Sequence, residues 1–522
     1  MDHLLPQLME GFSDKVACVS GEKRLTYKEL KDRSLRLGNG LIDLGLKNKN
    51  IAFMLRNSNE FYELYLAPMV SQGGKSTPIN YHFIGDEIAY IANHTEANAF
   101  IVDEEFLDKV IKIRSKLKYV KECIVVGKDA PSDMTLYEDL IKSSSSKLPG
   151  EPVSKSAGPL IYTGGTTGHP KGVHPMGSLE KDRKAAVEIM QRIRLYNLHK
   201  IKNYVHLVAA PLYHAAPFYH SFILVLLNAG CGVMMRKWDS EEALRLIERE
   251  KITSTYMPPI LLKRILDAPN RENYDISSMK VIVCGGAPVP VNVKEGIVSY
   301  FGPVYHEFYG ALDAPDSTIL TPAHYIKNLD KIASVGKPSP GTKIKILDKD
   351  GNECSCGVPG DLYIKNAYTD SLEYYRDPER TKKAFCDIGG ERYFDEGEVM
   401  YMDEDGFCYV VDRRKDIIIS GGVNISSAEI EEVIHAHPKV ADVAVIGIYD
   451  SEWGESVKAF VQLKEGKSSD EKEIISYCKE KLASYKKPKS VEFVRELPRD
   501  PDGKMLKRIL RDGYRKEKGP KS

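Results

Sequence analysis

Short runs that are apolar at every position recur through the first two thirds of the chain. They lie at residues 51–55, 99–102, 123–126 and 281–284, and stretches with helical periodicity separate them. Strands that are apolar on both faces are typical of parallel sheets buried between helices. Parallel neighbours also need a crossover connection, which is usually a helix. The pattern therefore predicts an α/β fold with layered sheets and helices.

The first strong helix signal follows residue 26. Thr26 and Glu29 have the spacing of a capping box, and Gly45 is a residue type that ends helices. Between them the apolar residues fall on one helical face, and they are Leu30, Leu37, Leu41 and Leu44. The segment from Ser221 to Met235 is also apolar but falls short of the ~20 residues that a membrane-spanning helix needs. We interpret it as a buried helix followed by a buried strand.

The residue pattern changes twice towards the C-terminus. From Ser334 the chain is rich in turns and alternating residues, which predicts a small antiparallel β unit. Further on, Ser426 and Glu429 have capping-box spacing before another amphipathic helix, and two strands and a helix follow. These elements make an α+β module of about a hundred residues, an ordinary domain size.

Composition excludes several classes of protein. The 522 residues exceed what one hydrophobic core organises, so we expect two or three domains. Lys and Arg number 74, as do Asp and Glu, so the charge indicates neither a nucleic-acid partner nor an anionic membrane. No integral membrane contact is expected. The nine scattered cysteines indicate a reducing, cytoplasmic location, and Cys354 and Cys356 have no second ligand pair for zinc.

A glycine-rich loop, TGGTTGHPKG, follows an expected strand at residues 158–162. Glycines let the backbone approach a ligand closely, and consecutive backbone N–H groups form an anion nest. Three threonine hydroxyls and Lys171 add donors, which favours a polyphosphate ligand. A Walker loop needs a hydroxyl residue after its lysine, and Gly172 stands there. A simple P-loop kinase is therefore excluded.

The order of residues in this loop closely resembles the signature loop of the acyl-adenylate-forming superfamily, which includes acyl-CoA synthetases, peptide-synthetase adenylation domains and luciferases. Other segments resemble further motifs of that family in the same order, over nearly the whole chain. They lie at residues 211–218, 284–290, 306–315, 394–407, 412–431 and 497–508. The resemblance implies that a carboxylate attacks the α-phosphate of ATP to give an acyl-adenylate and pyrophosphate. Coenzyme A (CoA) then displaces AMP, and Mg²⁺ is required.

The resemblance also implies roles for single residues in the nucleotide site. Tyr309 would stack on adenine, and Arg413 would bond the ribose. Lys504 would bridge the substrate carboxylate and the α-phosphate. The whole ATP-binding set is Thr163, Gly164, Gly165, Thr166, Thr167, Gly168, Lys171, Gly286, Ala287, Tyr309, Gly310, Leu312, Asp313, Glu398, Arg413 and Lys504. The catalytic residues would be Lys504, Lys171, Asp313 and His214, with Thr166 and Asp313 as metal ligands.

The remaining implied residues concern the acid, CoA and the domain movement. The acid would contact His214, Ala215, Phe218 and Tyr219, whose apolar setting favours a fatty, aryl or alicyclic acid. The CoA set would be Gly421, Gly422 and Lys486, although Lys486 also fits a solvated basic turn. Lys415 matches the family's hinge position. It would divide a large domain, residues 1–414, from a small mobile domain, residues 415–522.

Three motifs depart from the family pattern. Leu312 and Asp313 replace Thr-Glu, Glu396-Gly397-Glu398 replaces Thr-Gly-Asp, and Gly164 replaces Ser. A misplacement of about 1 Å at a reacting centre costs ~10²-fold in rate. Because the motifs match in order over nearly the whole chain, an AMP-forming acyl-CoA synthetase is the main prediction. Two alternatives stay open: transfer of the acyl group to a carrier-protein thiol, and an impaired homologue that only binds nucleotide or acyl-CoA. A homodimer is possible.

Overall fold

The computed structural model describes residues 11–148, 157–163, 170–174, 183–421, 423–499 and 505–518. The expected α/β architecture is confirmed. Within these ranges, a parallel sheet of six strands contains the first three apolar runs. In spatial order these are Thr135–Leu136, Glu122–Val126, Ala99–Asp103, Ile51–Met54, Lys75–Pro78 and Gly158–Pro159.

A second sheet has nine strands in the described part of the chain. In order they are Lys337–Pro338, Thr318–Leu320, Tyr305–Tyr309, Val281–Cys284, Ser254–Tyr256, Val205–Val208, Cys231–Met234, Val16–Ser20 and Lys23–Thr26. The six central strands, from Tyr305–Tyr309 to Val16–Ser20, are parallel. The strands beyond them on both sides are antiparallel. The predicted strand at 158–162 is divided, because Ile161–Thr163 leaves the parallel sheet and forms a hairpin with Lys171–Val173.

Both faces of the sheets are covered, as the doubly apolar runs predict. Ile51 and Phe53 pack in a core that also contains residues of the nine-stranded sheet, whereas Ala52 and Met54 pack in a separate core on the other face. The helices of the large N-terminal part are Tyr27–Asp43, Asn59–Ala67, Gly85–His94, Leu107–Ile113, Tyr137–Ser143, Arg183–Leu195, Ala215–Pro217, Leu224–Leu227, Ser240–Arg249, Pro259–Leu266, Val291–Phe301, Pro322–Tyr325, Ala367–Ser371 and Pro378–Lys383. Two π-helical segments, Pro68–Gln72 and Phe218–Ile223, join them.

The predicted capping boxes have different outcomes. At the first helix, Thr26 accepts a hydrogen bond from the Glu29 N–H, and the Glu29 carboxylate accepts one from the Thr26 N–H at 2.7 Å. At the second, Ser426 accepts from the Glu429 N–H. The Glu429 carboxylate instead pairs with Lys486 at 2.7 Å, so the reciprocal half of that box is wrong.

The expected antiparallel β unit is present and lies between the large sheets and the C-terminal module in the chain. Its strands are Lys343–Leu347, Gly360–Lys365, Glu391–Met402, Phe385–Ile388 and Cys408–Arg413. The C-terminal module contains the strands Val423–Ile425, Ile418–Ser420, Gly454–Leu463, Val440–Asp450 and Ser490–Phe493 and the helices Ser427–His435, Glu471–Lys481 and Lys507–Lys518. The segment from 221 to 235 is a buried helix and strand as predicted. Within the described ranges, no helix is long and apolar enough to cross a membrane.

Two buried histidines make the stability of this fold dependent on pH. His206 contacts the hydroxyls of Ser254 at 2.6 Å and Ser221 at 2.9 Å, and burial lowers its pKa to about 3. Burial likewise lowers the pKa of His306 to about 4. In the unfolded chain both bind protons near a pH of about 6.5. The unfolded state therefore binds more protons below that pH, and stability is lost as the pH falls.

We expect each of these histidines to contribute a loss of ~1.4 kcal/mol in the free energy of unfolding per pH unit between roughly pH 6 and 4. The measurement is urea unfolding at several pH values. The variant His206→Gln keeps a hydrogen-bonding side chain but cannot titrate. The slope of its free energy of unfolding against pH should therefore lack the contribution of one histidine. An unchanged slope in this variant would contradict the assignment.

Candidate active site

Lys171 and Asp313 meet at one end of the nine-stranded sheet. Lys171 begins the second strand of the hairpin, and Asp313 lies in the loop after the strand Tyr305–Tyr309. The Lys171 ammonium forms an ion pair with Asp313 Oδ2 and donates a hydrogen bond to the Tyr374 hydroxyl at 2.8 Å. The other carboxylate oxygen, Asp313 Oδ1, is buried and has no hydrogen-bond partner among the described residues. The site therefore has a cation beside a buried oxygen that is free to accept.

A second contact joins Tyr309, Glu398 and Arg413. The Tyr309 hydroxyl donates to Glu398 Oε2 at 2.6 Å, and Arg413 Nε lies 3.5 Å from Glu398 Oε1. Glu398 and Arg413 are directly opposite each other on neighbouring antiparallel strands, which brings their side chains together. Burial, and then the Glu398 charge, hold the pKa of Tyr309 well above its usual value, so the phenol remains a donor.

Glu396 adds a third carboxyl group that the sequence analysis had identified only as a departure from the family pattern. Its Oε2 is buried and has no hydrogen-bond partner in the described ranges. Burial, followed by the charges of Glu398 and Asp313, raises its pKa well above the usual range, and Lys171 and Arg413 oppose that shift. Three carboxyl groups thus share two basic side chains. Such an arrangement favours either a bound proton or an added cation.

Gly286 and Gly310 follow neighbouring parallel strands, Val281–Cys284 and Tyr305–Tyr309, at their carboxyl ends. Ligands of parallel α/β sheets bind at this edge. Gly310 has a φ of 156°, and a Cβ there would lie 2.9 Å from the Asp316 nitrogen and closer still to the Ala314 carbonyl oxygen. A side chain therefore does not fit at Gly310. Gly286, at φ 85°, is exposed beside this turn, and Ala287 is partly exposed.

The residues predicted to contact the acid divide between two cores. His214 precedes the short helix Ala215–Pro217, with its ring 4.1 Å from that of Tyr213. Tyr219 is half-buried in a core beside the nine-stranded sheet. Phe218 is 1% exposed, and its ring packs 4.9 Å from the ring of Tyr65, so the structure favours a core role for it.

Leu312, another departure from the family pattern, has a packing role. Leu312 stands where the family has a hydroxyl residue. Its side chain is partly buried and packs against the core that contains Phe218 and against the core of the β unit. Leu312 therefore contributes apolar contact where a phosphate contact was expected.

The predicted hinge lies between anchors in different parts of the chain. Arg414 pairs with Asp361 and Asp395 of the β unit, each at 2.9 Å. Asp416 pairs with Arg511 in the C-terminal helix. Lys415 lies between them, and burial, followed by the charge of Arg413, lowers its pKa. A backbone rotation at Lys415 would leave both sets of anchors intact.

Several contacts cross this hinge, and one of them runs from the Ser426 hydroxyl to the Val411 carbonyl at 2.7 Å. The Asp412 carboxylate accepts hydrogen bonds from the Ser427 N–H at 2.7 Å, the Ser427 hydroxyl at 2.6 Å and the Ala428 N–H at 3.2 Å. It therefore caps the helix Ser427–His435 from the other side of the hinge, and a negative charge at a helix N-terminus is stabilising.

We expect Asp412→Ala to destabilise that helix by ~1–2 kcal/mol, because three N-terminal donors lose their acceptor. Amide hydrogen exchange should become faster at residues 427–435. The matched control is Asp470→Ala, which removes the cap of the neighbouring helix Glu471–Lys481 and should accelerate exchange there alone. Unchanged exchange at 427–435 would contradict the role of Asp412.

The small-domain residues predicted to contact CoA have structural partners. Gly421, at φ 57°, donates its N–H to the Trp453 carbonyl at 2.7 Å, and a Cβ there would lie 2.7 Å from the Trp453 ring. Lys486 is paired with Glu429. The other predictions, Gly164, Gly165, Thr166, Thr167, Gly168, Gly422 and Lys504, lie outside the described residues, and of Thr163 only the backbone is described.

Comparison with known proteins connects this geometry to a family. The model for the AMP-binding enzyme matches residues 6–374, and the model for the AMP-binding enzyme C-terminal domain matches residues 429–504. The chain belongs to the AMP-binding enzyme family. Within that family it falls in the acyl-CoA ligase branch of the adenylate-forming enzymes, and it is an acid–thiol ligase.

Individual relatives agree over almost their full length. The 4-hydroxybutyrate–CoA ligase 2 of Metallosphaera sedula is 31% identical over 96% of this chain and 92% of its own. The medium/long-chain-fatty-acid–CoA ligase FadD8 of Mycobacterium tuberculosis is 28% identical over 98% of this chain and 89% of its own. The crystal structure of ATP-bound MatB from Rhodopseudomonas palustris superimposes with a TM-score of 0.85 at 27% identity, covering 99% and 100% of the two chains. The acids named for these two ligases differ.

Sequence reasoning missed three contacts that the structure brings into the site. Tyr374 is a hydrogen-bond partner of Lys171, Asp412 caps a helix across the hinge, and Glu396 joins the carboxyl cluster. Tyr374 and Asp412 had no local signal. The change from the family's Thr to Glu396 was visible, but its proximity to Asp313 was not.

Proposed function

We propose that this protein is an AMP-forming acyl-CoA synthetase for a carboxylic acid with a largely apolar body. A carboxylate oxygen attacks the α-phosphorus of ATP, a new P–O bond forms, and the bond to pyrophosphate breaks. The CoA sulfur then attacks the acyl carbonyl carbon, and AMP leaves with the oxygen that joined it to the acyl group. The observation that carries the proposal is the meeting of Lys171, Asp313, Tyr309, Glu398 and Arg413 at the carboxyl edge of a parallel sheet, in a chain of this family.

The charges suit a nucleotide. Arg413 and Glu398 are placed together to bind the ribose hydroxyls, with the Tyr309 ring beside them. Lys171 is available to a phosphate when it exchanges its bond to Asp313. Positioning and charge stabilisation of this kind supply most of the catalysis in phosphoryl chemistry. We assign the α-phosphate contact to Lys504 by resemblance alone.

Mg²⁺ fits the residues present. Asp313 Oδ1 is a buried carboxylate oxygen without a partner in the described ranges, and Mg²⁺ is usually held by one or two carboxylates together with substrate phosphates. Asp313 would hold the ion, with Thr166 as a second ligand by resemblance. When bound, the ion neutralises charge on the phosphates.

The hinge supports two half-reactions in two domain arrangements, with residues 1–414 and 415–522 as the moving parts. Arg414 and Asp416 are anchored on opposite sides of Lys415. The small domain also exposes an apolar patch around Gly421, in which Ile419 is 54% exposed and Trp453 is 46% exposed. Exposed apolar patches mark surfaces that dock elsewhere. We infer that this patch faces the large domain when CoA reacts.

The test is pyrophosphate release with ATP and Mg²⁺ over a panel of carboxylic acids, followed by thioester detection with CoA. We expect Lys504→Ala to lose most pyrophosphate release with the active acid. The matched control is Lys472→Ala, which removes an exposed lysine of the same small domain and should leave the release unchanged.

The two alternatives give different results in the same assay. Acyl-adenylate that reacts with a carrier-protein thiol and not with CoA would favour transfer to a carrier protein. Absence of pyrophosphate with every acid, while calorimetry still detects ATP binding, would favour the impaired homologue.

A further inference from the structure

Five polar side chains gather in the interior beside the residues proposed to contact the acid. Arg192 lies on the helix Arg183–Leu195, with Tyr196 just after it. Tyr219 and His220 lie on the π-helical segment, and Asp316 lies in the loop after Tyr309. We call these five residues the polar cluster. Arg192 and Tyr196 are 0% exposed, and His220 and Asp316 are 2% exposed.

Each member of the polar cluster has a buried polar atom that lacks a hydrogen-bond partner in the described part of the chain. These atoms are Arg192 Nη1, Tyr196 Oη, Tyr219 Oη, His220 Nδ1 and Asp316 Oδ2. Buried polar atoms are nearly always paired with protein, water or ligand. A polar group that joined these five atoms would satisfy all of them.

The cluster is held firmly by its other atoms. Arg192 donates from Nε to the Pro340 carbonyl and from Nη2 to the Thr342 hydroxyl, both at 3.0 Å. His220 Nε2 lies 3.5 Å from Asp316 Oδ1. Burial, and then the charge of Asp316, raise the pKa of Tyr196 well above its usual value, so this phenol faces Asp316 with its proton in place. The unpaired atoms are thus fixed and include both donors and acceptors.

His220 connects the cluster to the predicted nucleotide loop. Its ring stacks on Tyr256 at 5.4 Å and lies 4.7 Å from the ring of Phe308. The Tyr256 hydroxyl donates to the Gly285 carbonyl at 3.2 Å, immediately before the predicted nucleotide contacts Gly286 and Ala287. His220 therefore packs against the residues that support the predicted nucleotide contacts.

Asp316 and Tyr219 connect the polar cluster to two other parts of the candidate active site. The Asp316 nitrogen lies 2.9 Å from where a Cβ of Gly310 would be, so Asp316 belongs to the same tight turn as Tyr309 and Gly310. Tyr219 is five residues after His214, in the segment proposed to contact the acid. An acid that lies between this turn and this segment, with its carboxylate at the nucleotide, would contact the polar cluster with its other end.

We propose that the polar cluster is the far end of the acid site and that it selects an acid with a hydroxyl group remote from the carboxylate. This inference rests on the proposed function. Asp316 Oδ2 needs a donor, whereas Arg192 Nη1 needs an acceptor, and a hydroxyl supplies both. A purely aliphatic or unsubstituted aryl end would leave these atoms unpaired.

The first experiment compares matched acids in pyrophosphate release and in binding measured by calorimetry. The pairs are straight-chain acids with and without a terminal hydroxyl, and aryl acids carrying a para hydroxyl, methoxy or amino group or none. A site that bonds a substrate hydroxyl can reject the analogue without it by ~10⁴-fold, and we expect the hydroxylated member to be preferred by at least ~10²-fold. The proposal would be overturned if both members of a pair were used equally. It would also be overturned if the methoxy-substituted or amino-substituted aryl acid were used better than the hydroxyl-substituted one.

The second experiment tests the residues. Asp316→Asn and Tyr196→Phe should each lower the preference for the hydroxylated acid, measured as the ratio of its kcat/KM to that of the unsubstituted acid, by ~10-fold or more. Tyr196→Phe removes one oxygen and keeps the ring, so it controls for misfolding in Asp316→Asn. An equal loss for both acids in the two variants would show that ordered water fills a purely structural cluster. If every acid is silent in pyrophosphate release, the proposed function fails, and binding of the matched acids by calorimetry decides the selectivity on its own.

Discussion

Replacing Asp313 by asparagine is expected to lower the rate of acyl-adenylate formation by about 10²–10³-fold. The asparagine keeps the shape of the side chain but removes the charge that pairs with Lys171 and the carboxylate proposed to hold Mg²⁺. Thioester formation from preformed acyl-adenylate and CoA should change little, because pyrophosphate has already left. The measurement is single-turnover kinetics of each half-reaction, together with Mn²⁺ binding in the presence of a non-hydrolysable ATP analogue.

The matched control is Asp86→Asn, which removes an ion pair with Lys116 on the surface, where the Asp86 side chain is 86% exposed. Surface ion pairs contribute little to stability, so this variant should behave as the unmodified protein does. If Asp313→Asn slowed both half-reactions equally, or left Mn²⁺ binding intact, Asp313 would have only a structural role.

Adding one methyl group at Gly310 should damage both the fold and the activity. In Gly310→Ala the new Cβ would lie 2.9 Å from the Asp316 nitrogen and closer to the Ala314 carbonyl oxygen, and both are backbone atoms that have little room to move. We expect the free energy of unfolding to fall by about 2–4 kcal/mol, from overpacking and backbone strain together. Activation of the acid should fall at least ~10-fold, because the turn positions Tyr309 and Asp313.

Gly351→Ala separates strain from clash. Gly351 also has a positive φ, 82°, but nothing lies within 4 Å of a Cβ there. The Gly351→Ala substitution should lower the free energy of unfolding by ~1 kcal/mol, which is the ordinary penalty of a left-handed conformation for alanine. Thermal unfolding and ATP binding of the two variants make the comparison. Equal losses at the two positions would mean that the contacts at Gly310 are of no consequence.

The charge balance near Asp313 bears on the departures from the family pattern. Asp313 is one methylene shorter than the family's glutamate, and Glu396 brings an additional carboxyl group into the same cluster. Leu312, in the place of a hydroxyl, packs in two cores. The substitutions therefore keep negative charge in this part of the site while altering which residue supplies it.

Local sequence determined much of the fold. Runs that are apolar on both faces identified the buried parallel strands, because each strand must match two hydrophobic layers at once. The Thr26 capping box was correct since it depends only on residues three positions apart. Ser426 formed half of the second box, because the Glu429 carboxylate pairs with Lys486, 57 residues away. The order of the motifs likewise identified the family without any geometry.

Tertiary structure alone decided the contacts of the candidate active site. Lys171 and Asp313 are 142 residues apart, and Tyr309 and Glu398 are 89 apart, so no local pattern encodes either pair. The motif predicts that Phe218 contacts the acid, and the fold adds a contact that the motif does not contain, with the ring of Tyr65 at 4.9 Å. Asp316 joined His220 only through the folding of separate strands and helices around one space. Sequence patterns determine which faces must be buried, whereas the packing of those faces determines which distant polar groups meet.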